Sequence, residues 1–231
     1  MFSYPPQAEV NRPVPKSKIY NAAKAGSALR RRFIAQVSDI NWKYKLAPET
    51  INLPAKSPVQ EIQVFEIELK TGELSEDVLR TLDSAIPSLL FFEITFQQKV
   101  RFAATYKRPS EANKRKTVTD VYFETSWQPA DKARPPLPAV LNLAVLYEQM
   151  LHLHMRESSL ALGSREGETL AAALERANHI RSKEKECQKL EARLKKEIQF
   201  NRKVELNADL RNRRAELARL QQNKNLGIAC P

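Results

Sequence analysis

The feature that most constrains this chain is a run without proline or glycine from Thr169 to Asn223. Such a run permits a helix much longer than those of ordinary globular proteins. Apolar side chains recur along it in two stripes, which fall out of phase near Phe200, whereas a continuous heptad keeps one phase. The segment therefore predicts a coiled-coil-like arm, either a helical hairpin or a surface for a partner helix. The predicted partner-binding residues are Leu190, Leu194, Ile198, Leu206, Leu210 and Leu217.

The residues before this arm follow a different period. From Ile62 to Lys70 apolar and charged residues alternate, which places Phe65, Ile67 and Leu69 on one face of a strand and charged residues on the other. Further strands are predicted at Ile40–Leu46, Leu89–Phe96, Val100–Tyr106 and Val118–Ser126, and helices at Tyr20–Ile40, Ser75–Pro87 and Val140–Leu160.

This order of elements predicts an α+β protein, a mixed sheet flanked by helices and followed by a long C-terminal helical or coiled-coil arm. The proline-rich residues 1–18 are expected to run extended over the surface. Residues 19–160 then form the α+β globular domain, and residues 161–231 form the arm.

The charge of the chain favours a polyanionic partner. Lysine and arginine number 38 against 27 acidic residues, a formal net charge of +11. Cations of this kind bind phosphates without reading the base sequence, so a nucleic acid bound without sequence specificity is the expected partner. The candidate nucleic-acid-binding residues are Arg30, Arg31, Arg32, Lys107, Arg108, Lys114, Arg115 and Lys116.

The strand from Ile62 to Lys70 also supplies a candidate catalytic site. Glu68-Leu69-Lys70 resembles the Asp/Glu-x-Lys element of restriction-endonuclease-like nucleases, and Pro48-Glu49 resembles their first acidic element. Two carboxylates would hold magnesium, and the lysine would stabilise charge on the attacked phosphate. Glu49, Glu68 and Lys70 are therefore the catalytic candidates, although a Glu-x-Lys pair also arises by chance on exposed sheet faces.

Several other classes are disfavoured. Cys187 and Cys230 lie far apart, with no partner at metal-ligand spacing, so neither a zinc site nor a disulfide framework is expected. No secretory leader or membrane span is evident, and a cytoplasmic location is expected. Five glycines form no phosphate-cradling loop, so no cofactor is expected unless the nuclease hypothesis holds.

Four segments carry a resemblance that covers most of the chain. V-Q-E-I-Q-V-F-E-I-E-L-K, A-I-P-S-L-L-F-F-E-I, A-A-T-Y-K-R-P and Q-F-N-R-K-V-E-L-N-A-D-L-R resemble the prokaryotic family named domain of unknown function 4391. These patterns characterise the family without marking catalytic residues. The resemblance implies a setting beside helicases and DNA methyltransferases in restriction or phage-defence systems.

Three hypotheses follow. The first is a DNA-associated accessory subunit, which binds DNA through the basic clusters and a helicase or methyltransferase subunit through the arm. The second is a magnesium-dependent nuclease that uses the catalytic candidates above. The third is a purely structural coiled-coil adaptor, and in each case the arm could also pair with a second copy of the chain.

Overall fold

The computed structural model describes residues 2–109, 117–158 and 168–222, while the side chains of Arg108, Pro109, Thr117 and Gln222 lie outside the described part. Contacts divide the chain into two compact units, Met1–Leu160 and Ala161–Pro231. The two are described separately below.

The first unit contains a mixed sheet. Its strands are β1 (Glu9–Pro13), β2 (Val37–Leu46), β3 (Ile62–Leu69), β4 (Leu89–Phe96), β5 (Lys99–Pro109), β6 (Thr117–Glu124) and β7 (Gln128–Pro129). Its α-helices are α1 (Lys16–Ala22), α2 (Ser27–Gln36), α3 (Pro48–Ile51), α4 (Glu76–Ala85) and α5 (Leu143–Glu157). The strand order is β1-β2-β3-β4-β5-β6, with β7 paired to β5. Only β3 and β4 run parallel, because α4 carries the chain back between them.

One face of this sheet is covered by α1, α2 and α4. The alternation of β3 directs Phe65, Ile67 and Leu69 into this core, as the sequence predicts. Phe33 of α2 and Leu82 of α4 meet them there, and both are fully buried. This arrangement confirms the predicted α+β class.

The opposite face is covered by α5. Asn142 caps this helix by accepting hydrogen bonds from two amide groups of its first turn. The Phe91 ring of β4 packs edge-on against Tyr147 and His154 of α5. The central strands β3 and β4 are therefore largely buried on both faces, as is usual for parallel strands.

The region predicted as one helix from Tyr20 to Ile40 is different. Two short helices, α1 and α2, are separated where Lys24 takes a left-handed backbone with φ of 51°. The second helix ends at Gln36, because Val37 pairs with Leu69 and begins β2. Part of the N-terminal segment predicted to be extended forms β1, which pairs with β2 at the sheet edge.

The second unit is a helical hairpin of α6 (Leu170–Lys196) and α7 (Phe200–Gln222). Residues 197–199 connect the two helices. Ion pairs of Lys183 with Glu216 and of Glu186 with Arg213 show that the helices run antiparallel. Among the helices of the described residues, none is both long and apolar enough to cross a membrane.

Candidate nucleic-acid interface

The structure does not assemble the predicted nuclease site. Leu46 pairs with Ile62 at one end of β3, and Asp39 pairs with Glu68 near the other. Glu49 follows Leu46 closely, so the six residues from Ile62 to Glu68 separate the two acids by about 20 Å along the strand. One shared metal cannot bind both carboxylates at its ordinary ligand distances.

The remaining contacts of these residues agree with that separation. Glu49 accepts a hydrogen bond from Lys45 at 2.6 Å, and this bond lowers the pKa of the Glu49 carboxyl. Lys70 donates to the carbonyl of Ile34 at 2.8 Å. Within residues 2–109, 117–158 and 168–222, no group of three or more metal-binding side chains is placed to hold an ion. The expectation that Glu49, Glu68 and Lys70 form one site is therefore wrong.

The arginine cluster of α2 is exposed but partly engaged within the protein. Arg30 donates to the carbonyl of Ala25 at 2.9 Å, and its guanidinium lies 5.6 Å from the Tyr20 ring centroid. Arg32 forms an ion pair with Asp77. All three arginines are exposed, so the cluster offers a small cationic surface.

Lys107 does not belong to a surface cluster. The strand predicted to end at Tyr106 continues to Pro109, which places Lys107 inside the sheet with only 5% of its surface exposed. Its ammonium donates to the carbonyls of Asp83, Ile86 and Ser88 at and beyond the C-terminal end of α4. Lys107 is therefore unavailable to a phosphate. The Arg108 side chain and Lys114, Arg115 and Lys116 lie outside the described residues.

Lys107 is part of a buried polar network. Its Nζ lies 3.6 Å from Asp83 Oδ1, and the hydroxyl of Tyr122 donates to the other Asp83 oxygen. Burial raises the pKa of Asp83 to about 6, although the adjacent Lys107 ammonium acts in the opposite direction. Burial also lowers the pKa of Lys107. This network anchors α4 to β5 and β6.

A second ionic cluster lies across β2, β3 and β4. Glu93 is fully buried and accepts from Lys43 at 3.1 Å and from Arg134 at 2.7 Å, while Lys43 also pairs with Glu66. Burial lowers the pKa of Lys43, but Glu93 and Glu66 outweigh it, so the pKa lies above its ordinary value. The sequence signal for this cluster is a single acid, Glu93, inside the apolar run of β4. Sequence reasoning passed over that signal.

The leucines predicted to bind a partner face the interior of the hairpin instead. Leu206 and Leu210 of α7 are buried, with 8% and 5% of their surface exposed. Leu190, Leu194 and Leu217 are half-buried. Antiparallel packing of α6 and α7 accounts for the phase change near Phe200, since each stripe belongs to a separate helix.

The hairpin does expose an apolar patch at the turn between its helices. Ile198 is 90% exposed and Phe200 is 77% exposed, and Val204 near the start of α7 is 54% exposed. We call Ile198, Phe200 and Val204 the tip. Of the six predicted partner-binding residues, only Ile198 lies in it.

A cationic face runs along α6, on the side away from α7. Lys185, Lys189, Arg193 and Lys196 follow at intervals of four, four and three residues, so they align along one side of the helix. All four are exposed. At 1.5 Å per residue they extend over about 16 Å. We call these four residues the α6 cationic face.

The neighbours of this face leave its charge uncompensated. Between its members on the same side, Gln188 and Ala192 are uncharged. Glu186, three residues before Lys189, is paired with Lys183 and Arg213 instead. In the part of the chain that the structure describes, the four cations have no ion pair, whereas Lys183, Arg213 and Arg214 are each paired with a glutamate. The regular spacing of the four cations can be read from the sequence. The sequence does not show which side of α6 faces α7.

The fold and these surfaces define an α+β protein with a basic helical hairpin. The family model described as Domain of unknown function (DUF4391) matches residues 2–217. The chain therefore belongs to the DUF4391 family, as its resemblance predicts. Comparisons with curated proteins and with solved structures each found no match.

Proposed function

We propose that this protein is a DNA-associated accessory subunit of a helicase and methyltransferase type of restriction or phage-defence system. The observation that carries the proposal is the α6 cationic face, a row of four exposed cations that form no ion pair among the described residues. Such a row neutralises backbone phosphates of DNA and gives affinity that does not depend on base sequence. The DNA contact is thus assigned to α6, with the exposed arginines of α2 as a smaller second surface.

Charge removal with a matched control tests the DNA contact. In the test variant, Lys185, Lys189, Arg193 and Lys196 are changed to glutamine. The control variant removes the same charge from exposed lysines scattered over the first unit, and these are Lys18, Lys56, Lys99 and Lys132. Each variant loses four positive charges, so the two have the same net charge and differ only in the position of the removed cations.

Binding to a labelled DNA duplex is measured by fluorescence anisotropy at several salt concentrations. Log affinity falls with log salt, and each lost phosphate contact makes this slope less steep by about 0.9. The slope of the α6 variant should therefore be less steep by about 3 to 4. In the control the slope should change by less than about 1. Equal losses in both variants would contradict a localised interface. Failure of the unmodified protein to bind DNA would leave only the adaptor hypothesis.

The tip supports the second part of the proposal, a protein partner. Large apolar side chains at such exposure are typical of interaction sites, since they gain most from burial in a partner. The partner is the helicase or methyltransferase subunit that the family resemblance implies. Leu206 and Leu210 are buried between α6 and α7, so neither this partner nor a second copy of the chain reaches them while the hairpin is closed.

Co-purification with each of those two subunits tests the tip. Ile198→Ser with Phe200→Ser should abolish capture, while Val118→Ser, an exposed apolar position on β6, should not. Capture that survives the double change would contradict docking through the tip. Because neither tip residue is buried, this variant should fold normally, which circular dichroism checks.

A further inference from the structure

A cavity of about 400 Å³ opens in the first unit, where β3 and β4 begin and β5 ends. Its walls come from the loop before β3, the connection between α4 and β4, the end of β5 and the first turns of α5. The volume lies within the range of about 300 to 1,000 Å³ that small-molecule sites occupy. Neither the DNA contact nor the tip uses this cavity.

The apolar part of the wall is suited to a flat ligand. Pro58, Pro87 and Ala144 line it together with the ring of Tyr106. Tyr106 stacks on Tyr147 with ring centroids 6.2 Å apart and an angle of 26° between the planes. An aromatic ring backed in this way gives a fixed surface for stacking.

The Tyr147 ring behind it is held by its own hydroxyl. That hydroxyl donates to the carbonyl of Thr105 at 3.1 Å and accepts from the amide of Lys107 at 3.2 Å. Its hydrogen bonds are therefore directed into the sheet. They fix the Tyr147 ring in place behind Tyr106.

The charged groups of the wall supply acceptors in preference to donors. Lys107 lines the cavity, but its three ammonium hydrogens are directed to carbonyls of the protein. The charged acceptors are the carboxylates of Glu61 and Glu148. A ligand that pairs with these two carboxylates must bring N–H donors of its own.

Glu61 is held in place as an ionised acceptor. Its Oε1 accepts from Ser88 at 2.6 Å and from Gln63 at 2.5 Å, while Lys45 lies 3.4 Å from Oε2. Burial acts to raise the pKa of Glu61, but these hydrogen bonds outweigh it and the pKa lies below its ordinary value. Oε2 thus retains capacity for a further donor.

We propose that this cavity binds a planar heterocycle of nucleobase size that carries an exocyclic amino group. The ring stacks on Tyr106, and the amino group donates to the carboxylates of Glu61 and Glu148. Two carboxylates disfavour a phosphate at the same place, so the ligand is a base or nucleoside in this cavity. The inference does not depend on DNA binding through α6.

Two pairs of nucleosides isolate the amino group. Guanosine and inosine differ only by the 2-amino group, and adenosine and purine riboside differ only by the 6-amino group. Binding to the full chain is measured by isothermal titration calorimetry. In at least one pair, the nucleoside with the amino group should bind about tenfold more tightly, because the nucleoside without it lacks a charge-assisted hydrogen bond. No binding in either pair, or equal binding within both, overturns the proposal.

Two substitutions tie the binding to this cavity. Ala144→Trp fills the cavity and should abolish binding, while Ala133→Trp, at an exposed position outside it, should not. Glu148→Gln keeps the shape of an exposed side chain, removes the acceptor charge and should weaken binding about tenfold. Unchanged affinity in Glu148→Gln overturns the assignment even if Ala144→Trp fails to fold.

Discussion

In the sheet unit, the buried Lys107 and the half-buried Lys43 each contact several acceptors, whereas the cations along the outer side of α6 form no ion pair among the described residues. Lys107 donates to three carbonyls beside Asp83, and Lys43 joins Glu66 to Glu93. On the hairpin, Lys185 and Lys189 are exposed, and neither forms an ion pair among the described residues.

Desolvation explains the difference. A charge removed from water costs free energy unless partners replace its hydration, so a buried lysine is fixed by the fold. An exposed lysine keeps its water and contributes little to stability, which leaves it available for phosphate. Burial therefore separates the structural cations of this protein from those that can serve binding, and total charge does not.

The largest expected effect on stability is the loss of a buried cation, and the loss of an exposed cation serves as its comparison. Lys107→Ala leaves Asp83 buried without its cation and three carbonyls without a donor, so it should lower the free energy of unfolding by about 3 to 5 kcal/mol. Lys185→Ala should change it by less than about 0.5 kcal/mol. Urea denaturation followed by circular dichroism measures both.

The double variant Lys107→Met with Asp83→Asn serves as the control. It removes both charges together, and it should recover part of the lost stability because no buried charge is left unpaired. Equal effects of Lys107→Ala and Lys185→Ala would contradict the distinction between the two kinds of cation.

The features of this fold that the sequence predicts are those that local backbone geometry determines. Alternation in β3 placed Phe65 and Ile67 correctly, because a period of two follows from local backbone geometry. The position of Lys107 depended on a strand that continues past Tyr106 and on the helix that covers it. The distance between Glu49 and Glu68 depended on the pairing of β2 with β3. These are long-range facts that neighbouring residues do not encode.

A smaller effect is the acid sensitivity of stability, which we compare for His154 in the first unit and His179 in the second. Burial lowers the pKa of His154 to about 3, whereas His179 on α6 is exposed. The unfolded chain binds a proton at His154 below about pH 6.5 and the folded chain does not, so its contribution to stability is lost as pH falls from about 6.5 towards 3. At pH 4 this loss amounts to about 3 kcal/mol.

His154→Gln should remove that loss. Its free energy of unfolding, measured in urea from pH 7 to pH 4, should fall less steeply with acid than that of the unmodified protein. In this variant the pH profile should also show the contribution of Asp83. The pKa of Asp83 is raised to about 6, so its protonation favours the folded state as pH falls from about 6 to 4. His179→Gln should leave the pH profile unchanged. Identical profiles for both variants would show that burial of His154 does not govern acid stability.

The smallest of these effects separates the seam of the hairpin from its tip. Leu210 is buried between α6 and α7, while Phe200 is 77% exposed at the turn. Leu210→Ala should cost about 2 kcal/mol, the lower end of the range for buried leucines, because a two-helix seam collapses more easily than a sheet core. Hydrogen exchange of the hairpin amides should accelerate about 30-fold. Phe200→Ala should change exchange less than about twofold. If Phe200→Ala opens the hairpin as much as Leu210→Ala does, the tip stabilises the fold and its exposed side chains are not reserved for a partner.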